Sequence, residues 1–289
     1  MHGRFPHEVK VNGDTISTGG QSFKVTAVKN PAELPHRDMK VDLVMECTGI
    51  FTSAGKARAH LEAGARKVLV SAPITKDETA QGEKTIVFGV NHDTLTANDV
   101  IVSNGSCTTN CLAPLAMILN DLVGIEKGIM TTIHSYTGDQ PTLDTMHKDL
   151  YRARAAALSM IPTSTGAAKA IGLVIPALNG KLDGISIRVP TPNVSRVDLK
   201  FVASRNTTVQ EINDAVVAAS DGKLKGIMGY TRHPNVSIDF NHDPHSSTMA
   251  LDQTKVMGGN FVNVLSWYDN EWGFSNRMCD TAVLMGKTL

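Results

Sequence analysis

The sequence lacks a surplus of either charge. Its 289 residues include 28 lysines and arginines and 28 aspartates and glutamates, so the formal net charge is zero. Nucleic-acid binding depends on a cationic surplus or a basic stripe, and no basic run interleaved with aromatic residues is present. We therefore expect no nucleic-acid partner.

Long apolar runs are also missing. No stretch approaches the roughly 18 apolar residues of a membrane-spanning helix. The first ten residues, MHGRFPHEVK, are polar and do not form the apolar centre of a signal peptide. These absences predict a cytoplasmic protein with no membrane partner. A hydrophobic content of 42% and a charged content of 19% are typical of a globular chain of one large or two ordinary domains.

Cysteine is scarce, and its spacing excludes two classes of site. The four cysteines are Cys47, Cys107, Cys111 and Cys279. The pair at 107 and 111 has no second pair for a zinc site. Side chains four apart on a helix run nearly parallel, which disfavours a disulfide. His242 and His245 have no third ligand nearby in the sequence and are interpreted as loop residues. We expect no metal, and reduced thiols in a reducing compartment.

The first hundred residues alternate short apolar runs with one helical segment. Ser53–Ala65, rich in Ala, Lys, Arg and Glu, predicts a helix that ends at a glycine. The predicted strands are Phe23–Val28, Val41–Met45, Lys67–Val70, Thr85–Val90 and Val100–Val102. Strands joined by a helical crossover indicate a parallel, doubly wound sheet.

The sequence pattern changes after Cys107, where long alternating strands without regular crossovers follow. They indicate an antiparallel or mixed sheet with one covered face. The predicted strands are Gly184–Val189, Val197–Ser204 and Phe261–Tyr268, and the predicted helices are Leu112–Leu122, Tyr151–Leu158, Val209–Ser220 and Ser275–Gly286. The fold class is therefore α/β plus α+β, with two domains that meet at Cys107.

Cys107 lies in SNGSCTTNCLAP, where a predicted strand turns into a helix. A thiol at a helix N-terminus lies near the positive end of the macrodipole and near free N–H groups, which favour the thiolate. Nucleophile and structural residue are equally supported by these neighbours alone. Cys111, one turn further along, is interpreted as inert core.

A nucleophilic thiol needs a base, and His134 is the candidate. It directly follows the predicted strand Gly128–Ile133 and precedes turn residues, so its side chain can face a cleft beside Cys107. The alternative is an ordinary hydrogen-bonded loop histidine, which a chain with ten histidines keeps open.

Three further features suggest anion binding. Thr137 follows His134 by three residues, the turn Thr163–Gly166 opens a predicted helix, and Arg188 precedes a proline at a strand end. Threonine hydroxyls, free helix N–H groups and an arginine fork suit a phosphate. Each alone could be a plain cap or salt-bridge partner. Together with the Cys/His pair they suggest a small phosphorylated carbonyl substrate.

The order and spacing of several long motifs resemble the phosphorylating glyceraldehyde-3-phosphate dehydrogenase family of bacterial type. The main motifs are SNGSCTTNCLAP, HSYTGDQ, IPTSTGAAKA, RVPTPNVS and SWYDNEWGFSNR, and HGRFPHEVK, ECTGIF and KVLVSAP also match. The resemblance covers essentially the whole chain.

The resemblance implies an architecture and an activity. Residues 1–106 would form a partial Rossmann-like NAD-binding domain, completed by the C-terminal helix 275–289, and residues 107–274 the catalytic domain. The implied reaction is the oxidation of glyceraldehyde 3-phosphate with NAD and inorganic phosphate to 1,3-bisphosphoglycerate, through a cysteine thioester, in glycolysis or gluconeogenesis. The implied assembly is a homotetramer, in which the loop Thr137–Asp149 reaches a neighbouring cofactor site.

The same resemblance assigns roles to individual residues. Cys107 would be the nucleophile and His134 its base. The substrate phosphate would bind Thr137 and Arg188. The incoming phosphate and reacting carbon would lie near Ser106, Thr108, Thr165 and Gly166, with help from Arg152. The residues implied for NAD are Lys29, Ser71 and Asn270, with Phe274 packing by the nicotinamide.

The sequence departs from the family in one respect, because it contains no G-x-G-x-x-G. In relatives a βαβ unit of roughly 30 residues or more precedes HGRFP and carries the pyrophosphate loop. We expect either a start codon assigned too far downstream, or a chain that folds poorly alone and binds NAD weakly. The alternative functions are erythrose-4-phosphate dehydrogenase, a Cys/His hydrolase, and a truncated non-catalytic subunit that assembles with full-length partners.

Overall fold

The computed structural model describes residues 1–74 and 83–289. A small antiparallel sheet comes first, in the order β1-β2-β3. Its strands are β1 (Val9–Asn12), β2 (Thr15–Thr18) and β3 (Gln21–Lys24). Gly13, with φ of 58°, lies in the tight turn between the first two strands, where left-handed backbone favours glycine.

A four-stranded parallel sheet follows, in the order β4-β5-β7-β6. Its strands are β4 (Leu43–Glu46), β5 (Lys67–Val70), β6 (Glu83–Thr85) and β7 (Ile101–Ser103). The helix α1 (Ala54–Glu62) connects β4 to β5, and its N-cap Ser53 accepts a hydrogen bond from the Lys56 N–H. This crossover confirms the predicted parallel sheet.

Both faces of the parallel sheet are covered, because successive side chains of a strand point to opposite sides. Val68 and Ile101 pack with Ala57 of α1. On the opposite face, Leu69 packs with Met278 of the last helix, α5 (Trp272–Gly286). The doubly wound arrangement thus uses a helix from the C-terminal end of the chain.

The larger sheet has eight strands and is mostly antiparallel, as predicted. Its order is β12-β13-β15-β11-β8-β10-β9, with β14 beside β15, and only the pairs β8–β10 and β12–β13 are parallel. The strands are β8 (Ile125–Ser135), β9 (Ile161–Ser164), β10 (Leu182–Val189), β11 (Ser195–Ala203), β12 (Met228–Thr231), β13 (Ser247–Ala250), β14 (Lys255–Met257) and β15 (Phe261–Tyr268).

Three helices cover one face of the larger sheet and form the main core with it. They are α2 (Cys107–Val123), α3 (Ala167–Val174) and α4 (Val209–Asp221). Fully buried Leu112, Leu115 and Leu119 of α2 meet Met130 of β8 and Leu199 of β11. The predicted helices at 112–122, 209–220 and 275–286 and the three predicted long strands are confirmed.

The predicted helix Tyr151–Leu158 is wrong, since the segment consists of turns. Its backbone N–H groups bond to aspartate carboxylates and to the carbonyls of turns instead of forming a helical ladder. The Tyr151 N–H donates to the Asp149 carboxylate and the Ala155 N–H to the Asp144 carboxylate. Aspartate side chains commonly compete with helices in this way.

Two predicted strands differ from the structure. Only the first two residues of Phe23–Val28 are in a strand, and that strand belongs to the small antiparallel sheet. The predicted strand Thr85–Val90 ends at its first residue. There Asn91 accepts from the Val87 N–H and donates to the Thr85 carbonyl, which replaces further strand pairing. Of the helices described, none is long and apolar enough to cross a membrane.

Candidate active site

Cys107 is the first residue of α2 and directly follows the turn that leaves the parallel sheet. Gly105 has φ of 67°, a left-handed conformation that suits glycine. Ser106 caps the helix, because its hydroxyl accepts from the Thr109 N–H at 3.0 Å. Asn110 donates to the Asn104 and Ser106 carbonyls at 2.7 and 2.9 Å. These bonds fix the turn that places the thiol at the start of α2, directly after the last residues of the parallel sheet.

His134 lies at the end of β8 with its Nε2 3.5 Å from the Cys107 Sγ. The ring is 3% exposed and packs edge-on against Tyr268. Its Nδ1 is 2.7 Å from the Ser135 carbonyl, which can only accept, so Nδ1 carries the hydrogen. The Nε2 lone pair therefore faces the thiol, and His134 is placed as a base.

Burial dominates the electrostatics of this pair. It lowers the pKa of His134 to about 3, with the charge of Arg188 as the second cause. Burial also raises the pKa of the Cys107 thiol, against the smaller lowering effects of Arg188 and Thr108. The helix N-terminus was expected to favour the thiolate, but loss of solvation outweighs it. Both shifts favour the uncharged forms, a neutral thiol beside a neutral imidazole.

Arg188 lies next to His134 because β10 runs parallel to β8 with these two residues in register. Its Nη1 donates to the Ser135 carbonyl at 3.1 Å and to the Thr137 hydroxyl at 3.2 Å. The same Nη1 lies 3.3 Å from His134 Nδ1, but both nitrogens carry hydrogens, so this contact is no hydrogen bond. Arg188 Nε is buried without a partner. The structure thus brings Thr137 and Arg188 together beside His134.

The four residues expected at the second phosphate site make other contacts. Ser106 is the N-cap of α2. The Thr108 hydroxyl is 2.9 Å from the Tyr268 hydroxyl, within the core. Thr165 accepts from the Ala167 N–H, and Gly166 is the N-cap of α3. Among the described residues no hydrogen bond joins Thr165 or Gly166 to Cys107 or Arg188. Their phosphate roles stay predictions.

Arg152 is held by carboxylates in the loop after β8. It forms a close ion pair with Asp139 and a second one with Asp149 at 3.3 Å. Its charge nevertheless lowers the pKa of both His134 and Arg188, so it adds to the positive potential around the base.

The three residues predicted to meet NAD come from three different parts of the chain. Asn270 follows β15 and is 7% exposed. Ser71 follows β5, and its N–H donates to the Glu46 carbonyl at 3.0 Å, at the carboxyl edge of the parallel sheet. Lys29 is exposed in the segment between β3 and Pro31, and no described contact connects it with the other two. Phe274 packs against the parallel sheet through the Leu69 cluster.

Three residues of the site, Tyr268, Ser135 and Ser195, were not predicted from the sequence. Tyr268 is 2% exposed and bridges the Thr108 and Thr132 hydroxyls at 2.9 Å each. Ser135 and Ser195 both donate to the Asn270 side chain. Alternation along Phe261–Tyr268 could have placed Tyr268 on the core side, but the serine contacts depend on strand pairing that the sequence does not reveal.

No group of three or more metal-ligating side chains occurs within residues 1–74 and 83–289. His245 instead bonds Asp243 at 2.6 Å.

A family model for the glyceraldehyde 3-phosphate dehydrogenase C-terminal domain matches residues 106–270, and a model for the NAD binding domain of the same enzyme matches residues 1–54. The glyceraldehyde-3-phosphate dehydrogenase of Xanthobacter flavus is 71% identical over 99% of this chain and 84% of its own length. That of Cereibacter sphaeroides is 67% identical over 100% and 85%, and that of Zymomonas mobilis 58% over the same shares.

Proposed function

The chain belongs to the glyceraldehyde 3-phosphate dehydrogenase family, and from that premise we propose the reaction that its site performs. The protein is an oxidoreductase with NAD as its cofactor. We propose that it oxidises glyceraldehyde 3-phosphate with inorganic phosphate to 1,3-bisphosphoglycerate, as a step of glycolysis or gluconeogenesis. The observation that carries this proposal is the thiol of Cys107, 3.5 Å from an unprotonated His134 nitrogen.

His134 Nε2 takes the thiol proton as the Cys107 sulfur bonds to the aldehyde carbon. Protonated His134 returns that proton to the aldehyde oxygen, which becomes the hydroxyl of a hemithioacetal. Bound NAD would supply the acceptor for the hydride that leaves this carbon in the oxidation step. His134 removes the hydroxyl proton in that step, so a thioester forms on Cys107. Because a thioester preserves the free energy of oxidation, phosphate can attack it to give the acyl phosphate and release the thiol.

The Arg188–Thr137 pair is proposed to bind the phosphate of the substrate. Arg188 has a buried, unpaired Nε, and its Nη1 donates to a carbonyl and a hydroxyl, so it has no carboxylate partner among the described residues. A guanidinium in that condition favours an anion with several acceptor oxygens. Its place next to His134 would hold the aldehyde near the thiol. The phosphate attack is assigned to Ser106, Thr108, Thr165, Gly166 and Arg152 by resemblance alone.

Asn270 fits the nicotinamide end of the cofactor. Its Oδ1 is occupied by two serine hydroxyls. Its Nδ2 has no hydrogen-bond partner among the described residues and is not one of the buried unpaired atoms. A carboxamide carbonyl needs such a donor. Asn270 would therefore hold the carboxamide of NAD, with Ser71 and Lys29 proposed for other parts of the cofactor.

A homotetramer is proposed on the basis of the open face of the larger sheet. The helices cover one face only, and on the other Ile129 and Ile185 are each 50% exposed and Phe261 is 40% exposed. Apolar patches of this kind commonly mark protein–protein contacts. Sedimentation of the purified chain tests the assembly.

A substrate assay tests the proposed function. We expect NADH formation from glyceraldehyde 3-phosphate beyond one equivalent per Cys107 to require phosphate, and to be slower from erythrose 4-phosphate. Cys107→Ser should abolish turnover, while Cys111→Ser, a matched change one helical turn away, should leave the phosphate dependence intact. Full activity of Cys107→Ser, or turnover independent of phosphate, would contradict the proposal.

A further inference from the structure

The Asn270 side chain is held by two serines from different strands. Ser135 is the last residue of β8 and Ser195 the first of β11. Both are almost fully buried, at 0% and 1% exposure. Ser195 of β11 pairs with Tyr268, the last residue of β15. Asn270, two residues after Tyr268, therefore lies near the start of β11.

The two serine hydroxyls share one acceptor. Ser135 Oγ donates to Asn270 Oδ1 at 2.8 Å, and Ser195 Oγ donates to the same oxygen at 2.9 Å. The Ser195 Oγ in turn accepts from the Ser135 N–H at 3.0 Å. Each hydroxyl hydrogen therefore has an acceptor.

The reversed orientation of the amide is disfavoured by this network. With Nδ2 toward the serines, both hydroxyls would receive hydrogens and lose their shared acceptor. Among the described residues, the acceptor left for either hydroxyl is the other serine oxygen, 3.4 Å away, and this contact can satisfy just one of the two hydroxyls. One hydroxyl would then be buried without an acceptor, a costly state. The amide is held with its NH2 group outward.

Ser135 also connects this amide to the base. Its backbone carbonyl accepts from His134 Nδ1 at 2.7 Å and from Arg188 at 3.1 Å. One residue therefore orients the imidazole through its carbonyl and the Asn270 amide through its hydroxyl. Ser195 stabilises both arrangements by holding the Ser135 N–H.

We propose that Ser135 and Ser195 are positioning residues that fix the Asn270 amide with its NH2 group toward the carboxamide oxygen of NAD. They touch neither cofactor nor substrate and act through Asn270. The inference rests on the proposed role of Asn270 in the function above. It adds that affinity for the nicotinamide end depends on two hydroxyls outside the binding surface.

Calorimetric titration of the full chain tests the inference, with NAD and nicotinamide mononucleotide as probes. We expect Ser135→Ala and Ser195→Ala each to raise the Kd of both probes about threefold to tenfold, the worth of one neutral hydrogen bond. Ser195→Thr keeps the hydroxyl and should stay within about twofold of the parent chain. Ser266→Ala is the matched control, because Ser266 is a fully buried serine bonded to another serine, Ser247.

The same serine substitutions made in an Asn270→Ala variant distinguish a positioning role from a general loss of stability. In Asn270→Ala, the serine substitutions should no longer change the Kd, since the side chain through which they act is gone. An unchanged Kd in the single variants, or an equal loss in the Asn270→Ala background, would overturn the inference. Ser195→Ala also removes the acceptor of the Ser135 N–H, so if it fails to fold Ser135→Ala decides alone.

The two proposals fail in different ways. If the Kd follows the serines but glyceraldehyde 3-phosphate is not oxidised, the proposed function is wrong and the positioning role stands. If the substrate is oxidised through Cys107 while the Kd ignores both serines, the positioning role is wrong and the function stands.

Discussion

Acidification should destabilise the folded protein through His134, and His134→Asn should remove that sensitivity. The pKa of His134 is lowered from 6.5 to about 3 in the folded state, by burial and by the charge of Arg188. Below pH 6.5 the unfolded chain binds a proton at this histidine, whereas the folded protein binds it only near pH 3. The free energy of unfolding is therefore not reduced by His134 above pH 6.5, and it falls as the pH is lowered from 6.5 to about 3.

The magnitude follows from the same two values. Each pH unit between them is worth about 1.4 kcal/mol. At pH 5 the loss relative to pH 8 is about 2 kcal/mol, and at pH 3 it is about 4 kcal/mol. In His134→Asn the amide can still donate to the Ser135 carbonyl but cannot titrate, so its pH profile should be flatter by these amounts.

Urea unfolding at several pH values between 8 and 5, at one protein concentration, measures the effect. The relevant quantity is the difference in the free energy of unfolding between the parent chain and His134→Asn at each pH. Other groups titrate in both proteins and cancel in that difference. His233→Gln, at an exposed histidine, is the control and should follow the parent profile. Parallel profiles for the parent chain and His134→Asn would refute the electrostatic reasoning.

Three further outcomes are expected. Arg188→Met should slow alkylation of Cys107 by iodoacetamide at fixed pH, because the arginine charge lowers the thiol pKa; an unchanged or faster rate would contradict this. Tyr268→Phe should lower the free energy of unfolding by about 1–3 kcal/mol, since it removes the partner of two buried threonine hydroxyls; an unchanged urea midpoint would count against it. Cys111, whose pKa is raised to about 12 by burial, should stay unlabelled at pH 9 in the folded protein, as peptide mass spectrometry can check.

The elements predicted well are those whose pattern reflects local physics. Ser195–Ala203 alternates buried and partly exposed residues along a half-covered strand, and Val209–Asp221 has a Thr208 cap. The segment Tyr151–Leu158 has high helix propensity, but the carboxylates of Asp149 and Asp144 accept from two of its N–H groups. Asp149 is a local partner, whereas Asp144 lies 11 residues before Ala155, and helix propensity does not take such a contact into account.

The candidate site follows the same division. Cys107, His134 and Arg188 end or begin regular elements, where parallel strands and helix N-termini gather functional groups, and the sequence therefore pointed to them. The neutral state of the Cys/His pair depends on burial, which the helix N-terminus alone did not reveal. The serines that hold Asn270 come from two other strands, and no spacing in the sequence connects them.

The most direct test of the account is the covalent state of Cys107 during turnover. The chain is mixed with glyceraldehyde 3-phosphate and NAD without phosphate, quenched in acid, digested and sequenced by mass spectrometry. We expect the mass of a phosphoglyceroyl thioester on Cys107, absent from Cys111 in the same peptide, and its loss within one turnover when phosphate is added. Turnover with an unmodified Cys107, or acylation of Cys111 instead, would show that Cys107 is not the nucleophile.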